Sequence, residues 1–131
     1  MNRPYLILDP LRRRFQAQPE YGPKLCVLAM IDAALGRKDL ALDEGRRAIA
    51  LTPLEKDAIN GSYVRQYFAI TAAWAGEKEL ALQQLEARVR GPVEGNMLSY
   101  GALKLLPFWD PLRGDPRFEK IVASLAPKSS Q

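Results

Sequence analysis

The side chains that most often carry out catalysis are scarce in this chain. Histidine is absent from its 131 residues, which removes the commonest general base and the commonest neutral metal ligand. Residues 91–95, although bounded by glycines, lack the lysine and the following helix of a phosphate-binding loop. The sequence therefore predicts no catalytic residue, no metal site and no cofactor.

Two reactive side-chain types remain to be assigned a role. Cys26 is the single cysteine and lies among apolar residues, where a thiol usually acts as a small hydrophobic group, although a reactive thiol on a groove wall is an alternative. One cysteine cannot form an internal disulfide, which suits a reducing compartment. Asp32 lies near a predicted helix end, and we expect it to pair with an arginine such as Arg46 or to be a surface carboxylate.

The composition is typical of one soluble domain. Hydrophobic residues make up 47% of the chain and charged residues 26%, enough apolar material for a core. No apolar run approaches the roughly 18 residues of a membrane span, and the apolar stretch near the start is too short for the core of a signal peptide. We therefore expect a cytoplasmic protein. The net charge of +4 is a mild bias, and the run Arg12–Arg14 is interpreted as a solvated helix face, with phosphate binding as the alternative.

Apolar residues recur at helical spacing in four central segments. They predict helices over 24–35 and 39–51, then from residue 62 to Gly76 and over 77–89, with a loop over 54–62 that contains the Asn60-Gly61 turn signal. Gly36 and Gly76 separate the members of each pair, so each pair should form an antiparallel helical hairpin.

Shorter elements are predicted at both ends of the chain. A short helix over 9–18 has Leu11 and Phe15 as its inward anchors and needs tertiary contacts to persist. After the hairpins we predict a helix over 97–106, a proline-interrupted segment over 107–112 that wraps rather than spans, and a last helix capped by Asp115. Trp109 and Phe108 are expected to cover the last apolar face of the core.

The two hairpins are related by an internal repeat. Residues 36–42 match residues 76–82 at glycine, lysine, leucine, alanine and leucine. This pattern resembles the tetratricopeptide repeat, in which a glycine turn and small residues let two helices approach closely. The positions that carry the resemblance are Leu25, Leu28, Ala29, Gly36, Ala41, Ala48, Pro53, Phe68, Ala69, Gly76 and Ala81.

The resemblance implies an all-α fold, a short right-handed superhelix of antiparallel helix pairs with capping helices at both ends. Residues 1–131 would form one domain. Its parts are an N-terminal arm (1–21), a first repeat (22–55), a degenerate second repeat (62–92) with Arg65 and Arg88 at apolar or small positions, capping helices (96–126) and a tail (127–131). The arrangement is similar to the C-terminal arrays of long bacterial sensory and regulatory proteins.

In the tetratricopeptide family the first helix of each pair lines a concave groove. The matching positions form an apolar, nearly uncharged set, namely Cys26, Met30, Ala33, Tyr63, Gln66, Ile70 and Ala73. The residues with which some relatives clamp a terminal carboxylate are replaced here, for instance by Cys26 and Met30. The groove therefore suits an amphipathic helix or an apolar peptide of a partner, unless the chain's own terminal helices fill it.

The resemblance thus predicts a non-catalytic protein–protein interaction module. Two repeats are fewer than the three or so that stability usually needs, so the flanking helices or a second copy must complete the core, and a homodimer is possible. The alternative function is an accessory nucleic-acid-binding domain, for which few aromatic residues accompany the basic ones. The arginines available to it are Arg12, Arg13, Arg14, Arg46, Arg47, Arg88 and Arg90.

Overall fold

The chain is all-helical wherever its structure is described, as the sequence predicts. The computed structural model describes residue 10 and residues 22–90 and 98–127. These residues contain no strand, and no helix among them is long and apolar enough to cross a membrane. The elements are α1 (Gly22–Ala34), α2 (Lys38–Leu51), α3 (Ala58–Trp74), α4 (Lys78–Arg90), α5 (Tyr100–Leu105), a 3₁₀ helix (Pro107–Leu112) and α6 (Pro116–Ser124).

Several predictions concern parts of the chain outside these residues. The N-terminal helix over 9–18 falls there apart from position 10, and so do Arg12–Arg14, the segment 91–95 and Met97. The predicted helix over 97–106 is confirmed only as the six residues of α5, which the Ser99 hydroxyl caps by accepting a hydrogen bond from the Ala102 amide.

The first helix of each hairpin ends at a glycine. Gly36 and Gly76 have φ values of 83° and 85°, the left-handed region that costs a side-chain-bearing residue about 1–2 kcal/mol. In the first turn the Arg37 amide donates to the Asp32 carbonyl at 2.8 Å and the Gly36 amide to the Ala33 carbonyl at 3.1 Å. The second turn repeats this pattern of hydrogen bonds, which satisfies the last carbonyls of the helix.

The hairpins α1–α2 and α3–α4 pack side by side, with α3 against both helices of the first hairpin. Small residues occupy the closest approaches, since Ala29, Ala48, Ala69 and Ala81 are all fully buried. At the C-terminal end the 3₁₀ helix packs on α3 and α6 packs on α4 and α5. This end contributes its own large side chains to the main core, namely Leu103, Trp109, Leu112 and Phe118.

The prediction of a loop over 54–62 is wrong in its second half. The helix α3 begins at Ala58, because the Asp57 carboxylate accepts hydrogen bonds from the Asn60 amide at 3.0 Å and the Asn60 side chain at 2.8 Å. Gly61 lies inside the helix, where a Cβ atom would come within 3.1 Å of the Thr52 carbonyl oxygen. A close approach, rather than a turn, therefore explains this glycine.

The proline-interrupted segment 107–112, predicted to wrap rather than to span, forms a short 3₁₀ helix. Arg113 secures it: the guanidinium donates to the Leu103 carbonyl at 2.6 Å and to the Leu106 carbonyl, and it pairs with Asp110 at 2.8 Å. The predicted cap of the last helix is confirmed, since Asp115 precedes Pro116 and its carboxylate accepts from the Arg117 amide.

Candidate functional site

An apolar cleft lies where α1, α3 and the 3₁₀ helix meet. Its volume is about 210 Å³, and its lining is almost free of polar surface. We call it the Met30–Phe108 cleft. Its lining residues are Met30 and Ala34 from α1, Ile70, Thr71 and Trp74 from α3, and Phe108 from the 3₁₀ helix.

Two aromatic side chains form the exposed rim of the cleft. Trp74 is 47% exposed and Phe108 is 37% exposed, in contrast to Trp109, which is fully buried. The Trp74 indole nitrogen donates a hydrogen bond to the Phe108 carbonyl oxygen at 2.9 Å. This bond satisfies the polar end of the indole and ties α3 to the 3₁₀ helix, so the aromatic surface left to solvent is apolar.

Two of the lining residues are buried, and one of them carries a polar atom. Ile70 and Thr71 are each 1% exposed and belong to the tightly packed middle of α3. The Thr71 hydroxyl oxygen is buried and has no hydrogen-bond partner among the described residues.

The seven predicted groove residues separate into two groups. Met30 and Ile70 line the cleft. Cys26, Ala33, Gln66 and Ala73 are buried within the helix packing, and Tyr63 is half-buried and stacks on Tyr67 with ring centroids 6.3 Å apart.

The polar members of the buried group are hydrogen-bonded inside the fold. The Cys26 thiol donates to the Pro23 carbonyl at 3.0 Å, and burial raises its pKa to about 12, which keeps it protonated and unreactive at neutral pH. The Gln66 amide nitrogen donates to the Ser62 hydroxyl at 3.1 Å. Neither side chain presents a polar group to a ligand in the cleft.

Four of the six lining residues were not predicted from the sequence, namely Ala34, Thr71, Trp74 and Phe108. Ala34 and Trp74 each lie one helical turn beyond a predicted groove residue, four positions after Met30 and Ile70, so extending the same spacing by one turn would have found them. The sequence predicts that Phe108 covers the core together with Trp109. The structure buries only Trp109 and leaves Phe108 at the rim, because the 3₁₀ helix places neighbouring side chains on different sides.

The prediction that Asp32 pairs with an arginine is confirmed, but the arginine is Arg37, at 3.5 Å, rather than Arg46. The alternative of a surface carboxylate is wrong, because Asp32 is fully buried. Arg46 instead lies over the Phe68 ring, 6.0 Å from its centroid. Since Arg37 follows the glycine turn, the ion pair joins the end of α1 to the start of the next helix.

A second depression of about 430 Å³, between α4 and α6, is larger but charged. Two of its basic side chains are already paired, Arg90 with Glu86 at 3.5 Å and Arg117 with Glu79. In the described ranges no three histidine, cysteine or acidic side chains are grouped as metal ligands. The Met30–Phe108 cleft is therefore the better candidate for a binding site.

Comparisons of the chain with protein-family models, with curated proteins and with solved structures find no match.

Proposed function

We propose that this chain is a non-catalytic protein–protein interaction module that binds an apolar side chain of a partner's peptide or helix in the Met30–Phe108 cleft. The observation that supports the proposal is an open apolar cleft with two partly exposed aromatic rings at its rim. Aromatic anchors of this kind dominate the binding energy of many protein interfaces, because they bury a large area with few rotatable bonds.

The size of the cleft favours a side chain over a free metabolite. Pockets for drug-sized ligands measure roughly 300–1,000 Å³ and contain several polar groups that orient the ligand. This cleft is smaller, at about 210 Å³, and its one buried polar group is the Thr71 hydroxyl. One large apolar side chain can fill it, while the rest of the partner segment lies across Trp74 and Phe108.

The helix packing agrees with the tetratricopeptide resemblance, which we retain as a proposal. Both hairpins turn at a left-handed glycine, and the first helices of the two hairpins, α1 and α3, pack on each other. The same two helices supply most of the cleft. In this proposal the chain forms a short superhelix, its concave face contains the cleft, and the 3₁₀ helix and α6 cap the end.

The nucleic-acid alternative has less support, because three of its four described arginines are engaged within the fold, the exception being Arg88, whose buried Nε atom has no hydrogen-bond partner among the described residues. Arg47 pairs with Asp43 and Arg90 with Glu86, both within one helix, and Arg46 lies over the Phe68 ring. Nucleic-acid binding requires basic side chains that are free to displace counterions from phosphates. We therefore propose a protein partner.

Selection of peptides from a random displayed library tests the proposal, because it requires no purified partner. We expect selected peptides to share one large apolar residue. Met30→Glu and Trp74→Ala should each weaken their binding by at least about tenfold, the effect of losing roughly 1.4 kcal/mol of contact. Ile70 is a poor site for the same change, because a glutamate at a 1% exposed position tests folding rather than binding.

The matched control is Ile59→Glu. Ile59 is 60% exposed and lies in the first turn of α3, about 22 Å along the helix from Trp74 at 1.5 Å per residue. The Ile59→Glu substitution should leave peptide affinity unchanged. Equal losses for Ile59→Glu and Met30→Glu, or a library that yields no peptide, would contradict the proposal. Light scattering on the same samples tests self-association, since a concentration-dependent dimer that blocks peptide binding would show a second copy in the cleft.

A further inference from the structure

Two arginines lie at the same level at the open end of the α3–α4 hairpin. In this hairpin, residues at about equal distances from the turn at Gly76 lie opposite each other on the two antiparallel helices. Ala72 is opposite Ala81 and Phe68 is opposite Leu85, and all four belong to one buried cluster. One helical turn farther out, the same register places Arg65 level with Arg88. Both side chains are half-buried. The antiparallel pair therefore brings two guanidinium groups together where apolar or small residues would normally close the packing.

Arg65 is held in place by the backbone beside it. Its Nη1 atom donates to the Thr52 carbonyl and to the Gly61 carbonyl, each at 3.0 Å. Burial and the positive charge of Arg88 both lower the pKa of Arg65, in that order of importance, and Glu55 acts weakly in the opposite direction. The guanidinium thus stays charged and positioned, with a like charge as its neighbour.

Arg88 has hydrogen-bonding capacity that residues 22–90 and 98–127 do not use. Its Nε atom is buried and has no hydrogen-bond partner among the described residues. A guanidinium binds oxyanions best through two parallel N–H groups, and the edge formed by Nε and Nη is one such pair. A small rotation of the side chain toward an anion would give the Nε hydrogen an acceptor and would offset the repulsion between Arg65 and Arg88.

We propose that Arg88, with Arg65 beside it, forms a binding site for an oxyanion, either a carboxylate of an acidic peptide or a phosphate group. The site lies at the middle of α3 and the end of α4, whereas the Met30–Phe108 cleft includes the last turn of α3. The two sites share no residue, so an experiment that refutes one proposal does not refute the other.

Titration by NMR tests the site on the full chain, with inorganic phosphate and a tetraglutamate peptide as separate probes at constant ionic strength. We expect saturable shifts of the Arg88 and Arg65 Nε–H signals with at least one probe. The probe that binds more tightly identifies the source of the oxyanion. Arg88→Gln should weaken binding about tenfold. Arg88→Lys, which keeps the positive charge but loses the two parallel N–H groups, should also weaken binding.

The control is Arg90→Gln, which removes the same charge from the same helix. Arg90 is an exposed residue paired with Glu86, so its loss should change the affinity less than about twofold, in the range of surface charge effects. Amide spectra of each variant verify that the fold is kept. Equal weakening by Arg88→Gln and Arg90→Gln, or shifts that never saturate with either probe, would overturn the proposal, because a diffuse positive surface would then account for them.

Discussion

Gly45→Ala tests how closely α2 and α3 must approach. A Cβ atom at Gly45 would lie 2.3 Å from Cδ1 and 2.7 Å from Cε1 of Phe68, far inside van der Waals contact. The ring cannot swing aside, because Phe68 is 2% exposed and Arg46 lies over it. Overpacking of this kind costs about 1–3 kcal/mol, whereas alanine in an unhindered helix is favoured over glycine by about 1 kcal/mol.

Gly101→Ala is the matched control, because no atom of the described residues lies within 4 Å of a Cβ atom at that helical position. It should stabilise the fold by about 0.4–1 kcal/mol, the usual effect of Gly→Ala at a compatible site. The free energies of unfolding of the two variants should therefore differ by at least about 1 kcal/mol, measured by urea denaturation with an unchanged m value. Equal denaturation midpoints would refute the account of this contact.

The Phe68→Leu background separates the steric cause from any other. Leucine lacks the ring atoms that a Cβ at Gly45 would meet, so Gly45→Ala should be less destabilising in that background, by about 1 kcal/mol of coupling. An identical cost in both backgrounds would show that the helix approach is not limited by this ring.

Two further predictions concern the turn and the thiol. Gly76→Ala should lower the free energy of unfolding by about 1–2 kcal/mol, because φ at this residue is 85°, and Gly76→Asn should lower it less; thermal melts of both variants measure the effect. Burial raises the pKa of Cys26 from 9.0 to about 12, so between these values the folded thiol keeps a proton that the unfolded thiol loses. The contribution of this thiol to stability is therefore present below pH 9 and is lost as the pH rises toward 12. Denaturation against pH should show a steeper loss of stability above pH 9 in the wild type than in Cys26→Ala, where the raised pKa of half-buried Tyr67 still contributes. Iodoacetamide at pH 8 should label Cys26 only in urea.

Much of the helical framework could be predicted from local chemistry. Gly36 and Gly76 end helices because only glycine enters the left-handed region cheaply, and Asp115 followed by Pro116 begins one because the carboxylate caps and proline needs no amide partner. The start of α3 was predicted wrongly because Asn60-Gly61 is a turn signal in isolation. The Asp57 cap is a local signal for the true start, whereas the close approach of Thr52, which explains the glycine at position 61, depends on the tertiary fold.

The candidate site was predictable only in part, for a geometric reason. Helical spacing identifies residues on one face of α1 and α3. Part of that face packs into the core and part of it lines the cleft, so Cys26 and Gln66 are buried while Met30 borders the cleft. The third wall comes from Phe108, far along the chain. Its position depends on the 3₁₀ helix and on the hydrogen bond from Trp74, which no local pattern encodes.

The two tryptophans provide the most direct measurement of the central claim, that a partner's apolar side chain enters the Met30–Phe108 cleft. Trp74 lies at its rim and Trp109 is fully buried in the core, so their two indole N–H signals report on the cleft and on the core separately. During titration with a selected peptide, we predict that the Trp74 signal shifts and saturates while the Trp109 signal stays in place. A peptide that binds with no change at Trp74, or that moves both signals equally, would contradict the account.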